Sequence, residues 1–264
     1  LVWVSMATVI GCALVPHASV VLSAIADTWF MTILPSSYTT VYIGRVFTHP
    51  LTLSSIRNSL FLSSLSTLVD IALGVTIAYF LARKRFIGRD VLDGLAMLPL
   101  ALPGLVLAFG YVAAFSGSFL DIKRNPMPLL IIAYAIRRLP YMVRAAYAGL
   151  QQTSETLEEA SLNLGAGPFR TLRRITLPLV FANIVAGSVL AFSFAMLEVS
   201  DSLILAAKEE FYPITKAIYA MSLRVADGPY VASAMGLLGM VLLATSLIVA
   251  GRFLGKRLGE LFRA

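Results

Sequence analysis

The sequence has little charge and almost no cysteine or histidine. Of its 264 residues, 13% are charged and 58% are hydrophobic, and there are one cysteine and two histidines. Soluble domains average about 25% charged residues. A single soluble core could not bury this much apolar surface, so the composition excludes an ordinary soluble enzyme. The lone Cys12 cannot form an internal disulfide, so it indicates no redox compartment.

Three further features that the sequence lacks exclude particular functions and folds. No Gly-x-x-x-x-Gly-Lys-Ser/Thr loop occurs in the sequence, so the chain is not expected to hydrolyse ATP. The net charge of +7 does not come from a basic stripe interleaved with aromatic residues, which argues against nucleic acid as a partner. The apolar residues form long blocks and do not alternate with polar ones, which excludes an outer-membrane barrel.

Several apolar segments are long enough to cross a bilayer, for which about 20 mostly apolar residues suffice. Six segments qualify, at about 1–26, 59–82, 94–115, 127–150, 178–199 and 231–251. Arg137, Arg138 and Pro140 interrupt the fourth segment. We therefore predict an all-α polytopic membrane helix bundle with about six transmembrane helices, in which residues 1–264 form one transmembrane domain.

The basic residues between these segments predict the orientation. The loops around 83–93, 137–177 and 252–264 hold 14 of the 21 Lys and Arg residues, and the alternate loops hold 7. Cytoplasmic loops carry the excess of Lys and Arg. We therefore expect the first set of loops, and both ends of the chain, to lie on the cytoplasmic side of the membrane.

The longest of the predicted inner loops, 153–178, has the pattern of two short helices separated by a glycine break. Ser154 is placed to cap the first helix, whose first turn is acidic; Thr156 with Glu159 offers an alternative capping box. Gly165 suits the position that ends this helix, and Pro168 suits the first turn of the next one. Apolar residues beside charges give the loop a surface that fits a groove on a soluble partner.

This loop resembles the cytoplasmic signature of permease subunits of ATP-binding-cassette importers. That signature reads Glu-Ala-Ala, three residues, Gly, nine residues, Ile, one residue, Leu-Pro. The chain has Glu159-Ala160-Ser161, Gly165, Ile175 and Leu177-Pro178 at the same spacing, with Ser161 in place of the second Ala. The resemblance extends to roughly 55–255. It is greatest to the ferric iron branch, with the thiamine, polyamine and aminoalkylphosphonate permeases as relatives.

The resemblance implies a fold like that of type I importer permeases and a transport role without enzymatic activity. Two separate ATPase subunits, which carry the ATP and Mg, would bind such loops in a bacterial or archaeal cytoplasmic membrane. A second permease half and an extracytoplasmic solute-binding protein complete the implied partners. The chain is then one half of a longer two-half permease or pairs with a second subunit. The residues implied in ATPase coupling are Glu159, Ala160, Ser161, Leu164, Gly165, Phe169, Leu172, Ile175, Leu177 and Pro178; local packing is the alternative role for Leu164, Phe169 and Leu172.

Three acidic residues are candidates for the transport pathway. Asp70 lies near the middle of the second segment, where charge is costly, so it is expected to face the bundle interior or water. Its alternative role is a hydrogen bond to Ser or Thr on a neighbouring helix. Glu198 and Asp201 either line a cation path or are surface charges facing the binding protein, and without His or Cys they predict no metal site. The importer interpretation predicts ferric iron or another small cation or polar solute; the alternative function is an ion-coupled secondary transporter that uses Asp70.

Overall fold

The computed structural model describes residues 2–261, with side chains described for 2–249, 251 and 252. Its regular elements are, in chain order, α1 (Val2–Ile25), β1 (Ala26–Thr28), β2 (Ser37–Tyr38), α2 (Val41–Thr48), α3 (Pro50–Arg83), α4 (Arg89–Ala101), α5 (Gly104–Phe115), α6 (Met127–Gln152), α7 (Glu155–Asn163), α8 (Pro168–Thr171), a π-helical turn (Leu172–Thr176), α9 (Leu177–Met196), α10 (Ser200–Leu205), a 3-10 turn (Glu209–Phe211), α11 (Ile214–Ser222) and α12 (Gly228–Leu261). The predicted all-α class is confirmed. The basic tail used to predict the orientation, 253–264, lies outside the described side chains.

Four helices of the described chain are long and apolar enough to cross a membrane. They are α1, α3, the continuous helix Pro168–Met196 and the part of α12 from Gly228 to Val249. The predicted third segment consists of α4 and α5, which meet at an angle of 108° and together make a fifth candidate span. The helix breaks at Leu102 and Pro103, where Leu102 is extended with a ψ of 133°, because a proline ring disfavours the helical conformation for the residue before it.

Helix α6 corresponds to the predicted fourth segment, but the structure differs there from the sequence-based expectation. The helix is continuous over 26 residues and includes Arg137, Arg138 and Pro140, which were expected to interrupt it. Arg137, Arg138 and also Arg144 therefore lie within a helix and not in an inner loop, so three of the 14 basic residues counted for the orientation are not loop residues. The helix can hold Arg137 and Arg138 because both pair with an acidic residue of the chain.

Two helices extend beyond their predicted limits. Helix α3 begins at Pro50 and not near residue 59, and α12 begins at Gly228 and not near residue 231. Proline is well suited to a first helical turn, since its missing N–H has no intrahelical acceptor at that position. The fifth predicted segment is also shifted, because its helix starts upstream of Pro178, at Pro168, and ends at Met196.

The chain divides into two compact units, and the first contains residues 1–59 and 208–245. Its core is formed by small and aliphatic residues of α1, α2, α11 and α12, with Met221 and Met235 among the most buried. The rings of Tyr42 and Tyr230 stack with their centroids 5.2 Å apart. The Asn58 amide donates to two backbone carbonyl oxygens of the segment before α11, which fixes that segment.

The second unit contains residues 60–207 and 246–264 and holds all the candidate site residues. Helices α6 and α9 pack along one another, and their close approach depends on small residues such as Ala146 and Gly187. The core between α3, α6 and α9 includes Ala78, Met142 and Val180. A second cluster around Leu81, Ala96 and Val143 joins α4 to α3 and α6. These contacts position the loop 153–178 at one end of α6 and a polar cluster along its middle.

Candidate functional site

The first arm of the loop 153–178 is the helix α7, and both of its ends have the predicted chemistry. The Ser154 hydroxyl accepts a hydrogen bond from the Thr156 backbone N–H at 3.3 Å. At the other end, Gly165 adopts a φ of +85°, which residues with a side chain rarely adopt. The N–H groups of Gly165 and Ala166 donate to the carbonyl oxygens of Leu162 and Ser161. This pattern is a Schellman motif, which satisfies the last carbonyl groups of the helix.

The second arm is not a separate short helix. Pro168 begins α8 as predicted, but α8 continues through the π-helical turn Leu172–Thr176 into α9 and the membrane. The Ser161 and Thr171 hydroxyl groups lie 3.0 Å apart and join the two arms. The one position that departs from the importer signature, Ser161, therefore makes a contact that alanine could not make.

The apolar side chains between the arms are left uncovered. Leu164 is 89% exposed and Phe169 is 74% exposed. Glu159, Ala160 and Pro178 are also exposed, whereas Ser161, Leu172, Ile175 and Leu177 are half-buried. Leu177 packs against the core between α3, α6 and α9. Gly165 is exposed as well, so the ten residues predicted for ATPase coupling divide into six exposed and four half-buried residues.

Arg83 anchors the loop, a contact that the sequence analysis missed. Its Nε donates to Glu158 Oε1 at 3.0 Å, and its Nη2 donates to the carbonyl and hydroxyl oxygens of Thr153 at 3.1 and 3.0 Å. Glu155 lies 3.6 Å from Nη1. The signal in the sequence was a basic residue at the end of one helix and two acids at the start of another. Only the fold shows that these ends meet.

A second polar cluster lies along α6. Arg138 forms a buried ion pair with Glu198, and its Nη2 also donates to the Phe194 carbonyl oxygen at 2.8 Å. Arg137 Nε lies 3.4 Å from the same Glu198 oxygen. The Tyr134 hydroxyl lies 2.5 Å from that of Ser202. Glu198 is 4% exposed at its side chain, so it is not the surface charge that one interpretation of the sequence expected.

Asp201 and Asp70 are also buried. Among the described residues, neither carboxylate has a hydrogen-bond partner for either oxygen. The surface-charge interpretation of Asp201 is therefore wrong, and so is the expectation that Asp70 bonds to a Ser or Thr of a neighbouring helix. Within the described part of the chain, no three His, Cys, Asp or Glu side chains come together as metal ligands.

A cavity of about 360 Å³ opens beside the two arginines, within the second unit. It lies where α4 ends, along the middle of α6 and at the end of α9. Its charged lining consists of Arg137, Arg138 and Glu198. Asp70 and Asp201 do not line it, so of the three pathway candidates only Glu198 faces this space.

Four long apolar helices and a bent pair, among the described residues, define a multi-pass membrane protein. The sequence matches the family described as "binding-protein-dependent transport system inner membrane component" over residues 71–260. The chain belongs to this family, the permeases of ATP-binding-cassette importers, and is a multi-pass protein of the inner membrane. The resemblance predicted from the loop is confirmed at this level.

Several named permeases are similar to the chain. A molybdate/tungstate transport system permease of Pyrococcus furiosus, WtpB, is 32% identical over 192 residues, which are 73% of this chain and 74% of that protein. The WtpB of Thermococcus kodakarensis is 31% identical over 64% of this chain and 65% of its own length. A putative ferric transport system permease of Haemophilus influenzae is 37% identical over 146 residues, 55% of this chain but 23% of that protein.

Solved structures agree with the fold. The crystal structure of a bacterial ABC transporter involved in the import of the acidic polysaccharide alginate matches with a TM-score of 0.76 at 19% identity, covering 97% of this chain and 95% of that one. An inward-facing methionine ABC transporter matches with a TM-score of 0.60 at 14% identity, covering 78% and 95%. At these identities the likeness establishes the fold, and the predicted resemblance to importer permeases extends to the architecture.

Proposed function

We propose that this chain forms one half of the translocation pore of an importer and contacts a separate ATPase through the loop 153–178. The observation that carries the proposal is the uncovered apolar surface of Leu164 and Phe169 on a loop held rigidly by Arg83 and by the Gly165 turn. Large exposed apolar side chains beside charges are typical of a surface that a partner covers. The spacing of the importer signature supports an ATPase as this partner.

The division of the ten coupling residues supports specific roles. Glu159, exposed on α7, would offer a charge to a basic residue of the ATPase, and Leu164 and Phe169 would enter its groove. Ser161, Leu172, Ile175 and Leu177 would hold the two arms at a fixed angle. Because α8 continues into α9, a displacement of the loop would be carried directly into a membrane helix.

The implied partners follow from this assignment. Two ATPase subunits would supply ATP hydrolysis, with ATP and Mg bound there and no cofactor bound by this chain. A second permease half, identical, different or fused, would complete the pore, and an extracytoplasmic binding protein would deliver the solute. The loop and both ends of the chain would face the cytoplasm.

The solute is proposed to be a small inorganic ion. The sequence favoured ferric iron, and a ferric permease is among the relatives, but the molybdate/tungstate permease shares a larger part of both chains. The alternative function, ion-coupled transport through Asp70, has no support. Asp70 lies outside the lining of the cavity, and the family is one of ATP-driven importers.

Co-purification with the ATPase encoded beside this chain tests the coupling assignment. In Gly165→Leu, a branched side chain is forced into a left-handed conformation at a cost of about 1–3 kcal/mol. The turn between the arms should therefore open, and the ATPase should no longer co-purify. Glu159→Ala should weaken ATPase binding and solute uptake without affecting membrane insertion.

Gly117→Leu is the matched control, because Gly117 also has a positive φ, of +76°, but lies in the turn after α5. It should retain the ATPase. Unchanged ATPase binding and uptake in both Gly165→Leu and Glu159→Ala would show that the loop is not the contact.

A further inference from the structure

We propose that the cavity beside α6 binds a small inorganic oxyanion through the guanidinium groups of Arg137 and Arg138. This inference rests on the proposed function, since it names the class of solute that the importer would carry. The lining of the cavity comes from the α4–α5 break, the middle of α6 and the end of α9, and it consists of Pro99, Leu100, Leu102, Arg137, Arg138, Tyr141, Phe194, Leu197, Glu198, Val199 and Ser200. Breaks in membrane helices are tolerated where they line such a space.

The first observation is that the two arginines have buried hydrogen-bond donors to spare. Arg138 is 7% exposed at its side chain, and its Nη2 is used by Glu198 and the Phe194 carbonyl oxygen. Its Nε and Nη1 have no hydrogen-bond partner among the described residues, and neither has Nη1 of Arg137. The Tyr134 ring lies 5.9 Å from the Arg138 guanidinium carbon and offers only its face. Buried polar groups are nearly always paired, so three unpaired charged donors indicate a missing acceptor.

The second observation is the charge of the lining. Two of the lining residues are cationic and one, Glu198, is anionic, and Glu198 already contacts both arginines. The lining therefore retains one positive charge. A cation entering the cavity would find a single carboxylate that is already shared, whereas the buried donors without a partner belong to two of the lining residues.

The third observation is the helix that starts beside Arg137. A Cβ atom added to Gly104, the first residue of α5, would collide with the Arg137 guanidinium, so this group packs directly on the start of the helix. The first N–H groups of a helix lack intrahelical acceptors, and the helix dipole is positive at this end. A guanidinium and a helix N-terminus repel each other, and an anion between or beside them is attracted by both.

The geometry of the donors favours an oxyanion over a simple anion. A guanidinium presents parallel N–H groups that match pairs of oxygen atoms, as in carboxylate or phosphate binding. Two adjacent arginines with unpaired N–H groups can each donate to a different pair of oxygen atoms of a tetrahedral anion.

Equilibrium binding tests the inference. The chain is co-expressed with its ATPase and its second permease half, reconstituted in lipid nanodiscs without the binding protein, and titrated with sodium molybdate and sodium sulfate by calorimetry. We expect saturable binding of at least one of these tetrahedral dianions. Arg137→Gln should lower the affinity about tenfold or more, because it removes charge-assisted hydrogen bonds.

Arg144→Gln is the matched control, since Arg144 also lies on α6 but pairs with Asp93 at 3.0 Å and does not line the cavity. It should bind as the wild type does. Glu198→Gln should bind the dianions at least as well, because it removes the competing carboxylate. Retention of the ATPase by each variant shows that the complex is assembled.

Three results would overturn the inference. One is a wild-type complex that holds its ATPase but binds neither dianion. Another is equal affinity in the wild type and Arg137→Gln. The third is saturable binding of Mn²⁺, added as its chloride, that is lost in Glu198→Gln, which would make the cavity a cation site. If the permease purifies without the ATPase, the proposed coupling through the loop 153–178 is wrong, but dianion binding by the permease can still be measured.

Discussion

Arg83 and Arg138 are equally buried, with 7% of each side chain exposed, but the chain satisfies them differently. Arg83 donates to Glu158 and twice to Thr153. Arg138 shares one carboxylate with its neighbour on α6 and leaves Nε and Nη1 without a partner among the described residues. The first arginine ties a loop to a helix. Arg138 is also held in place, but two of its hydrogen-bond donors are unused. Unused donors are expected of a group that binds a ligand and not of a purely structural contact.

The largest effect is expected from removing the buried charge of Arg138. Arg138→Gln removes the buried guanidinium that pairs with Glu198 and leaves the longer contact to Arg137, at 3.4 Å. Loss of one partner of a buried ion pair costs about 3 kcal/mol or more. The thermal unfolding temperature of the purified protein should therefore fall clearly.

The double variant Arg138→Gln/Glu198→Gln sharpens this prediction. Because it removes both charges of the pair, it should recover most of the lost stability, and the two single variants and the double variant form a double-mutant cycle. A double variant as unstable as the sum of the two single variants would show that Arg138 and Glu198 do not act as a pair.

A smaller effect is expected from Arg83→Gln. Its hydrogen bonds to Glu158 and Thr153 contribute about 1–3 kcal/mol to the attachment of the loop rather than to the core. Amide hydrogen exchange across 153–167 should become faster, and the ATPase activity of the complex should respond less to the binding protein. Arg85→Gln, an exposed position two residues along the chain, is the control and should change neither. Unaltered exchange in Arg83→Gln would mean that the loop is held by other contacts.

The smallest effect is expected from Ser161→Ala, which restores alanine at the one departure from the importer signature. It removes the hydroxyl contact with Thr171 and should cost about 1 kcal/mol or less. ATPase co-purification should persist, with a slight fall in the unfolding temperature. Complete loss of the ATPase would assign Ser161 a direct contact with the partner.

Features that depend on a few adjacent residues could be predicted from the sequence. The Ser154 cap, the left-handed Gly165 and the first-turn Pro168 each follow from one residue and its neighbours, and all three are confirmed. The apolar segments located the spanning helices because length and composition alone determine which segments can cross a bilayer. The bend of 108° between α4 and α5 was not among the predictions, because its angle depends on packing.

Contacts between distant residues could not be predicted in this way. Arg83 meets Glu158 across 75 positions, and Arg138 meets Glu198 across 60. Because these pairs were not visible in the sequence, the two arginines of α6 were taken to interrupt the helix. For the same reason, Glu198 could be assigned to the surface as readily as to the pathway. The same limit explains why the cavity was missed, since its lining comes from segments that are adjacent only after folding.

The π-helical turn Leu172–Thr176 sets the rotational phase between the loop and the membrane helix that follows it. A π-helical turn accommodates one residue more than an α-helical turn would, and each residue of an α-helix advances the chain by about 100°. Making this turn α-helical without a deletion would rotate Phe169 by about that angle relative to α9, whereas deleting one residue would allow a regular α-helix with Phe169 in nearly its present orientation. The irregular turn therefore keeps two surfaces in register: the face that an ATPase would contact and the face of α9 that packs on α6.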